Sequence, residues 1–206
     1  MVMLDANLHE SMSQFLRAVY ETSAPEERAG ELLRQWMRLP LPGEEPGLQG
    51  IRDCAPEDLP DLDGFLPLWA EALSDGDRGN KLVRTLLIEA AVMSGGLGSL
   101  GELAREPGPG QGSLYLAWIQ AMRSAGDDSR AADAAREALA AEAIGSYNRA
   151  AIAEELAELS APDAEAVLEA RHLAWRSRPD ANRLLVLHHA AAQLGDPARV
   201  MAEELT

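Results

Sequence analysis

The chain has 206 residues, with 18 Lys and Arg against 34 Asp and Glu, a formal charge of −16 and 47% hydrophobic content. That length accommodates one domain or a small pair with a sizeable core. The acidity is shared, with nine cations against 19 carboxylates in residues 1–112 and nine against 15 in 113–206, and it argues against nucleic acid or anionic membrane as partners, because phosphate binding uses clustered cations that release counterions.

The first predicted element is a helical hairpin over about residues 7–38. Asn7 and Glu10 have capping-box spacing, and Leu8, Met12, Phe15, Leu16 and Val19 form an apolar stripe. Ser23 with Glu26 repeats the device, Pro25 sits where a first-turn proline is tolerated, and Leu32, Leu33, Trp36 and Met37 carry the second face. Residues 39–47, rich in proline and glycine, deny the backbone both helix and ladder and read as a linker. Asp53, Glu57, Asp58, Asp61 and Asp63 then gather around two prolines, before a helix over about 64–73 carrying Phe65, Leu66, Leu68 and Trp69. Asn80 is placed to cap the next helix, with Val83, Leu86, Leu87, Ala90 and Ala91 inward and Gly95-Gly96 as its end. A short helix near 99–105 leads to a second breaker segment at 106–112. No strand-like alternation persists anywhere.

Residues 113–206 read as one helix-turn-helix unit written three times. The turn residues Gly126, Ser160 and Gly195 are 34 and 35 positions apart, a period that belongs to helical-hairpin arrays. Leu114, Ala117, Trp118, Ala121, Met122 and Ala125 share one helical stripe. Its register survives as Ile152 and Leu156, then as Leu187 and Ala191. The second helices are built from small residues: Ala131, Ala132, Ala134, Ala135 and Ala138, then Ala164, Ala166 and Ala170. Ser146 and Asp180, 34 apart, are both good N-caps, each followed by an Asn-Arg pair: Asn148-Arg149 and Asn182-Arg183.

The period, the Gly-Asp turns and the alanine-rich second helices resemble tetratricopeptide repeats over the last 94 or so residues. Most of that family's signature is missing, Trp118 and Pro179 being its nearest echoes. The chain as a whole reads as an all-α protein of about eleven helices, and the resemblance implies that its last hairpins stack as a short right-handed superhelix. The expected organisation is an N-terminal hairpin and linker (1–52), an irregular helical middle segment (53–112) and three repeat hairpins (113–206). In such arrays the first helices line a groove and equivalent positions form a ladder along it. Asn148, Arg149, Asn182 and Arg183 are therefore the candidate groove residues, with the arginines clamping carboxylates of a peptide, similar to the carboxylate clamp of some tetratricopeptide domains, and the asparagines bonding its backbone. The competing expectation is that the arginines pair with Glu154 or Asp180.

Chemical motifs are weak by comparison. Residues 75–80 begin like a calcium loop, but the twelfth position, which needs a bidentate glutamate, is Leu86. The glycine run at 95–101 lacks the lysine and hydroxyl of a P-loop. His9, His172, His188 and His189 offer no metal-ligand spacing, and of the adjacent pair one is expected packed and one wet. Cys54, the single cysteine, excludes an internal disulfide and a cysteine-rich metal site and has no setting that would activate it. No signal peptide is evident, no apolar run approaches the ~18–20 residues of a membrane span, and the expected compartment is the cytoplasm, in a bacterial-like protein.

These readings predict no enzyme, no cofactor and no metal. The expected function is a protein-protein interaction scaffold or adaptor that binds a partner segment in the repeat groove. The alternative is an acidic inhibitor or immunity-type protein that neutralises a basic effector through Glu44, Glu45, Glu57, Asp58, Asp61 and Asp63 on a flexible strip. The last helix, about 196–205, carries Val200, Met201 and Leu205 without a capping helix after it, and is expected to pack on another chain or on the N-terminal part.

Overall fold

The computed structural model describes residues 2–39, 46–141 and 146–195, with side chains from residue 8 onward apart from residue 146. Among these residues the regular structure is entirely helical: α1 (Val2–Thr22), α2 (Arg28–Trp36), α3 (Leu48–Asp53), α4 (Leu62–Ser74), α5 (Lys81–Arg105), α6 (Gln111–Ser124), α7 (Asp128–Ala140), α8 (Ser146–Leu159), α9 (Ala164–Ser177) and α10 (Ala181–Gln193). The expected eleventh helix, with Val200, Met201 and Leu205, lies outside the described residues, as do Glu44 and Glu45. The chain divides into two compact units, Met1–Leu100 and Gly101–Thr206.

In the first unit α1 packs on α2 and α3, and α2 on α4. Its core is built from large side chains. Tyr20 meets Phe65 edge-on at 4.7 Å, Phe65 stacks on Trp69 at 5.7 Å, and Trp69 stacks on Trp36 at 5.8 Å. Such offset and edge contacts add about 0.5–1.5 kcal/mol per pair beyond area burial. Leu16, Leu32, Leu48, Ile51, Leu73, Leu86 and Leu87 fill the remainder. The buried stripe of α1 is Met12, Leu16 and Tyr20, spaced by single turns, with Leu8 and Phe15 left exposed. The expected apolar stripe was thus wider than the face that packs.

Several local expectations are corrected here. Helix α1 starts at Val2, well before Asn7, in a stretch where methionine, leucine and alanine favour helix without a cap. Ser23 does not cap α2, because its hydroxyl donates to the Val19 carbonyl at 2.6 Å and so closes α1 instead. Helix α3 was not expected. Its first amides are capped by Glu89 of α5, which accepts from Leu48 N at 2.6 Å and Gln49 N at 2.8 Å. A cap delivered from 40 or so residues away leaves no local signature. Gly47 leaves room for that carboxylate, since a Cβ there would fall 2.5 Å from Glu89 Oε1 and push it aside.

Asn80 caps α5 as expected, accepting from Leu82 N at 2.8 Å, and Asp77 accepts from Gly79 N at 2.8 Å, so the calcium-like loop is an ordinary inter-helix turn. Helix α5 is broken at Gly95 and Gly96, the latter at φ 61°, ψ −142°, a conformation for which glycine is suited. By length and composition α5 is apolar enough to cross a membrane, which corrects the expectation that no segment is. Leu82, Val83, Leu86, Leu87 and Ala90 on its N-terminal part are buried.

In the second unit α6 packs on α7, α7 on α8, α8 on α9 and α9 on α10, with a further contact between α6 and α8. The interfaces are made of small residues: Ala131, Ala132, Ala134, Ala135 and Ala138 of α7 are all buried, as are Ala150, Ala153 and Ala157 of α8. Trp118, Ile119 and Met122 of α6, Ile152 of α8 and Leu187 of α10 supply the larger anchors. Gly126 and Gly195 end α6 and α10 at the turns read from their spacing, and their φ of 77° and 81° is the left-handed conformation that suits glycine after a helix. Asp163 and Asp180 cap α9 and α10, Asp180 accepting from Arg183 N at 2.9 Å. Gly101 lies flat on Trp118, where a Cβ would come within 2.6 Å of the indole.

Candidate functional site

The side chains with most chemical potential converge where α8, α9 and α10 meet. Glu154, Arg171, Ala174, Asn182, Arg183 and Val186 line a cavity of about 300 Å³. Helical spacing explains the convergence. Arg171 and Ala174 share a face of α9 at i, i+3, while Asn182, Arg183 and Val186 share one of α10. Arg183 Nε lies 2.8 Å from Glu154 Oε1, its Nη1 pairs with Asp180, and the same nitrogen donates to the Arg178 carbonyl at 3.3 Å. Its Nε–H is buried and not aligned with the carboxylate, so the contact with Glu154 is an ion pair rather than a directed hydrogen bond. Arg171 pairs with Glu158, one turn beyond Glu154 on α8. Both arginines are well covered, at 17% and 15% side-chain exposure for Arg171 and Arg183. The Arg183 amide, accepted by the Asp180 carboxylate, holds that group below the usual carboxylate range, and the Arg183 charge adds to the effect.

A related bridge joins the preceding first helices. Arg123 of α6 pairs with Glu155 of α8, and Gln120 Nε2 donates to the same carboxylate at 2.9 Å. Neighbouring residues on a helix point about 100° apart. That offset lets Glu154 and Glu155 serve different neighbours, one reaching α10 and the other α6.

Of the residues expected to form the groove, Asn182 and Arg183 line this cavity. Asn148 and Arg149 do not belong to its lining. Asn148 packs on Gly112 so closely that a Cβ at Gly112 would fall 2.6 Å from its own Cβ. Arg183 pairs with both carboxylates named in the competing expectation. The role of Arg171 was not read from the sequence. Its one signal is a long cation between Ala170 and Ala174 of an otherwise small face.

The acidic segment of the first unit is differently built from the flexible strip expected. Arg17, buried in α1, donates through Nη1 to the Arg52 carbonyl at 3.2 Å and through Nη2 to the Glu57 carbonyl at 2.7 Å, while its Nε holds Glu21 at 2.7 Å. Tyr20 Oη donates to the Pro60 carbonyl at 2.8 Å, and Leu59 is buried. Glu57, Asp58, Asp61 and Asp63 are thus exposed carboxylates on an anchored backbone. Arg52 engages Asp58 in two parallel hydrogen bonds of 2.8 and 3.0 Å, which keep that carboxyl below its ordinary range. Asp58, Asp61 and Asp63 border an open cavity of about 460 Å³ together with Leu59, Leu62 and Leu66.

A third network locks the end of α5 to α6 and α7. Arg105 binds Glu137 through two hydrogen bonds of 2.7 and 2.8 Å, and Tyr115 Oη donates to Glu137 Oε1 at 2.8 Å. Burial, then the bond to Glu137, push the Tyr115 phenol up to about 12. The Arg105 hydrogen bonds hold the Glu137 carboxyl low.

His188 and His189 are both exposed, against the expectation of one packed and one wet. The buried stripe of α10 runs through Leu187, Ala190 and Ala191, which leaves both imidazoles on its flanks. Cys54 is half-buried, its thiol directed at the Ile51 carbonyl at 3.1 Å. Comparison with protein-family models, with curated proteins and with solved structures returns no match to this chain.

Proposed function

We propose that the chain is a non-enzymatic scaffold or adaptor whose second unit is a short, right-handed, tetratricopeptide-like array that binds a segment of another protein. The observation that carries this reading is the cleft between α8, α9 and α10, where Arg171, Asn182 and Arg183 present planar donors beside the apolar wall of Ala174 and Val186. Guanidinium and amide groups on a rigid helical scaffold suit carboxylates and backbone carbonyls of a peptide. The packing of each helix on the next, with α6 also touching α8, is the nearest-neighbour pattern of a stacked array and supports the repeat reading.

The test is affinity capture from the native lysate at low and high salt, comparing wild type with Arg171→Gln/Arg183→Gln and with Arg149→Gln. The adaptor reading expects a partner retained in high salt, lost with the cleft double variant and kept with Arg149→Gln. A partner indifferent to the cleft variant would end it.

The alternative, an acidic inhibitor of a basic effector, is favoured by one specific feature, the anchored backbone beneath Glu57, Asp58 and Asp61, where the buried Arg17 holds the Glu57 and Asp58 carbonyls and Tyr20 holds that of Pro60. A preorganised set of carboxylates loses less entropy on binding a cationic partner than a mobile strip. This reading expects a basic partner released by salt, since such contacts are screened within about 8–10 Å at physiological ionic strength.

A further inference from the structure

We infer that Glu154 and Glu158 are built-in competitors for the cleft, and that the segment it receives carries two carboxylates that take their place on Arg183 and Arg171. This rests on the reading of the cleft as a partner site and specifies its ligand and its regulation. The two glutamates stand one turn apart on α8 and each pairs with one of the two covered arginines, Glu154 with Arg183 and Glu158 with Arg171. Carboxylates at i, i+4 lie ~5–6 Å apart at Cβ. Helix α8 thus offers the arginines the pattern an acidic peptide would offer.

The two ends of this arrangement are unequal in a way that permits exchange. The arginines are covered and held on α9 and α10, whereas Glu158 is 57% and Glu154 35% exposed, so the carboxylates are the members with freedom to leave. Glu158, already largely in water, contributes little through its pair with Arg171, so its displacement costs little. The Arg183 Nε–H, buried and unaligned with Glu154, is a donor that a better placed carboxylate oxygen would satisfy. Asp180 remains on Nη1 as the α10 cap throughout, which keeps the guanidinium oriented during the exchange.

The experiment measures fluorescence anisotropy of a labelled, acetylated probe peptide with glutamates at i and i+4, against the same peptide with glutamines, titrated with the full chain at low salt. Glu154→Gln/Glu158→Gln is expected to bind the glutamate probe at least tenfold more tightly than wild type, and to show no gain for the glutamine probe. Glu158→Gln alone, at the more exposed position, is expected to gain about threefold and covers the case in which the double variant melts early. Equal or weaker binding by a folded variant overturns the inference. So does an equal gain for both probes, which would mean loosened packing rather than exposed arginines. If neither glutamine variant gains affinity while Arg171→Gln/Arg183→Gln still loses its captured partner, the competition falls and the partner site stands. A gain with no effect of the arginine variant on capture keeps the competition and removes the captured partner from the cleft.

Discussion

The two units reach stability by different routes. In the first, the core is a stack of Trp36, Trp69, Phe65 and Tyr20, and its polar anchors join residues far apart in sequence: Arg17 to the carbonyls of Arg52 and Glu57, Glu89 to the amides of Leu48 and Gln49. In the second, alanine faces bring neighbouring helices close, and the polar links bridge adjacent or alternate helices, as with Arg123 to Glu155 and Arg183 to Glu154. Helices that pack on their neighbours in chain order are joined by contacts close in sequence, whereas a core of scattered aromatics is assembled by contacts that no local pattern announces.

The sharpest way to break the contrast is Trp69→Ala. Trp69 is fully buried and stacks on two aromatic partners, so its truncation should cost about 3–5 kcal/mol. Hydrogen exchange should show the loss in α1, α2 and α4 with α7 to α9 protected as before; uniform deprotection would mean the units unfold as one. The complementary change is Ala135→Leu in the second unit. Ala135 is fully buried in a small-residue face, so overpacking should destabilise by about 1–3 kcal/mol, read as a lower urea midpoint and faster exchange in α6 to α8. A neutral result there would show that the close approach of these helices is not what stabilises the unit.

The smallest effect concerns Tyr115. Its pKa is raised from 10.0 to about 12, so the folded state favours the neutral phenol more than the unfolded chain does. That contribution is fully present below pH 10 and is lost as pH rises toward 12. Tyr115→Phe should remove this alkaline dependence and, by deleting the bond to Glu137, lower stability near neutrality by about 1 kcal/mol. Urea denaturation of both proteins at several pH values between 8 and 11.5 checks it, and an unchanged alkaline slope in the variant would refute the assignment.

What was legible in the cleft was half of it. Asn182 and Arg183 were found because they repeat the Asn148-Arg149 pair at a fixed interval, but the interval promised a ladder of equivalents, and Asn148 is instead spent on close packing against Gly112. Arg171 and Glu158 were invisible to repeat logic, since they meet across α8 and α9 rather than at matching positions. The acidic segment shows the same limit. Its charges were plain, while the arginine that makes it rigid lies some 40 residues earlier in a different helix.

The amino-acid sequence by itself determined the all-helical class, the caps at Asn80 and Asp180, the glycine closures at Gly126 and Gly195, and the break at Gly95-Gly96, because each depends on residues within a turn or two of one another. Only the tertiary structure decided that α3 forms, that the acidic segment is anchored, that both adjacent histidines are exposed, and that Arg171 meets Glu158. Those outcomes depend on groups brought together by packing, through contacts whose free energy exists only once the helices have docked.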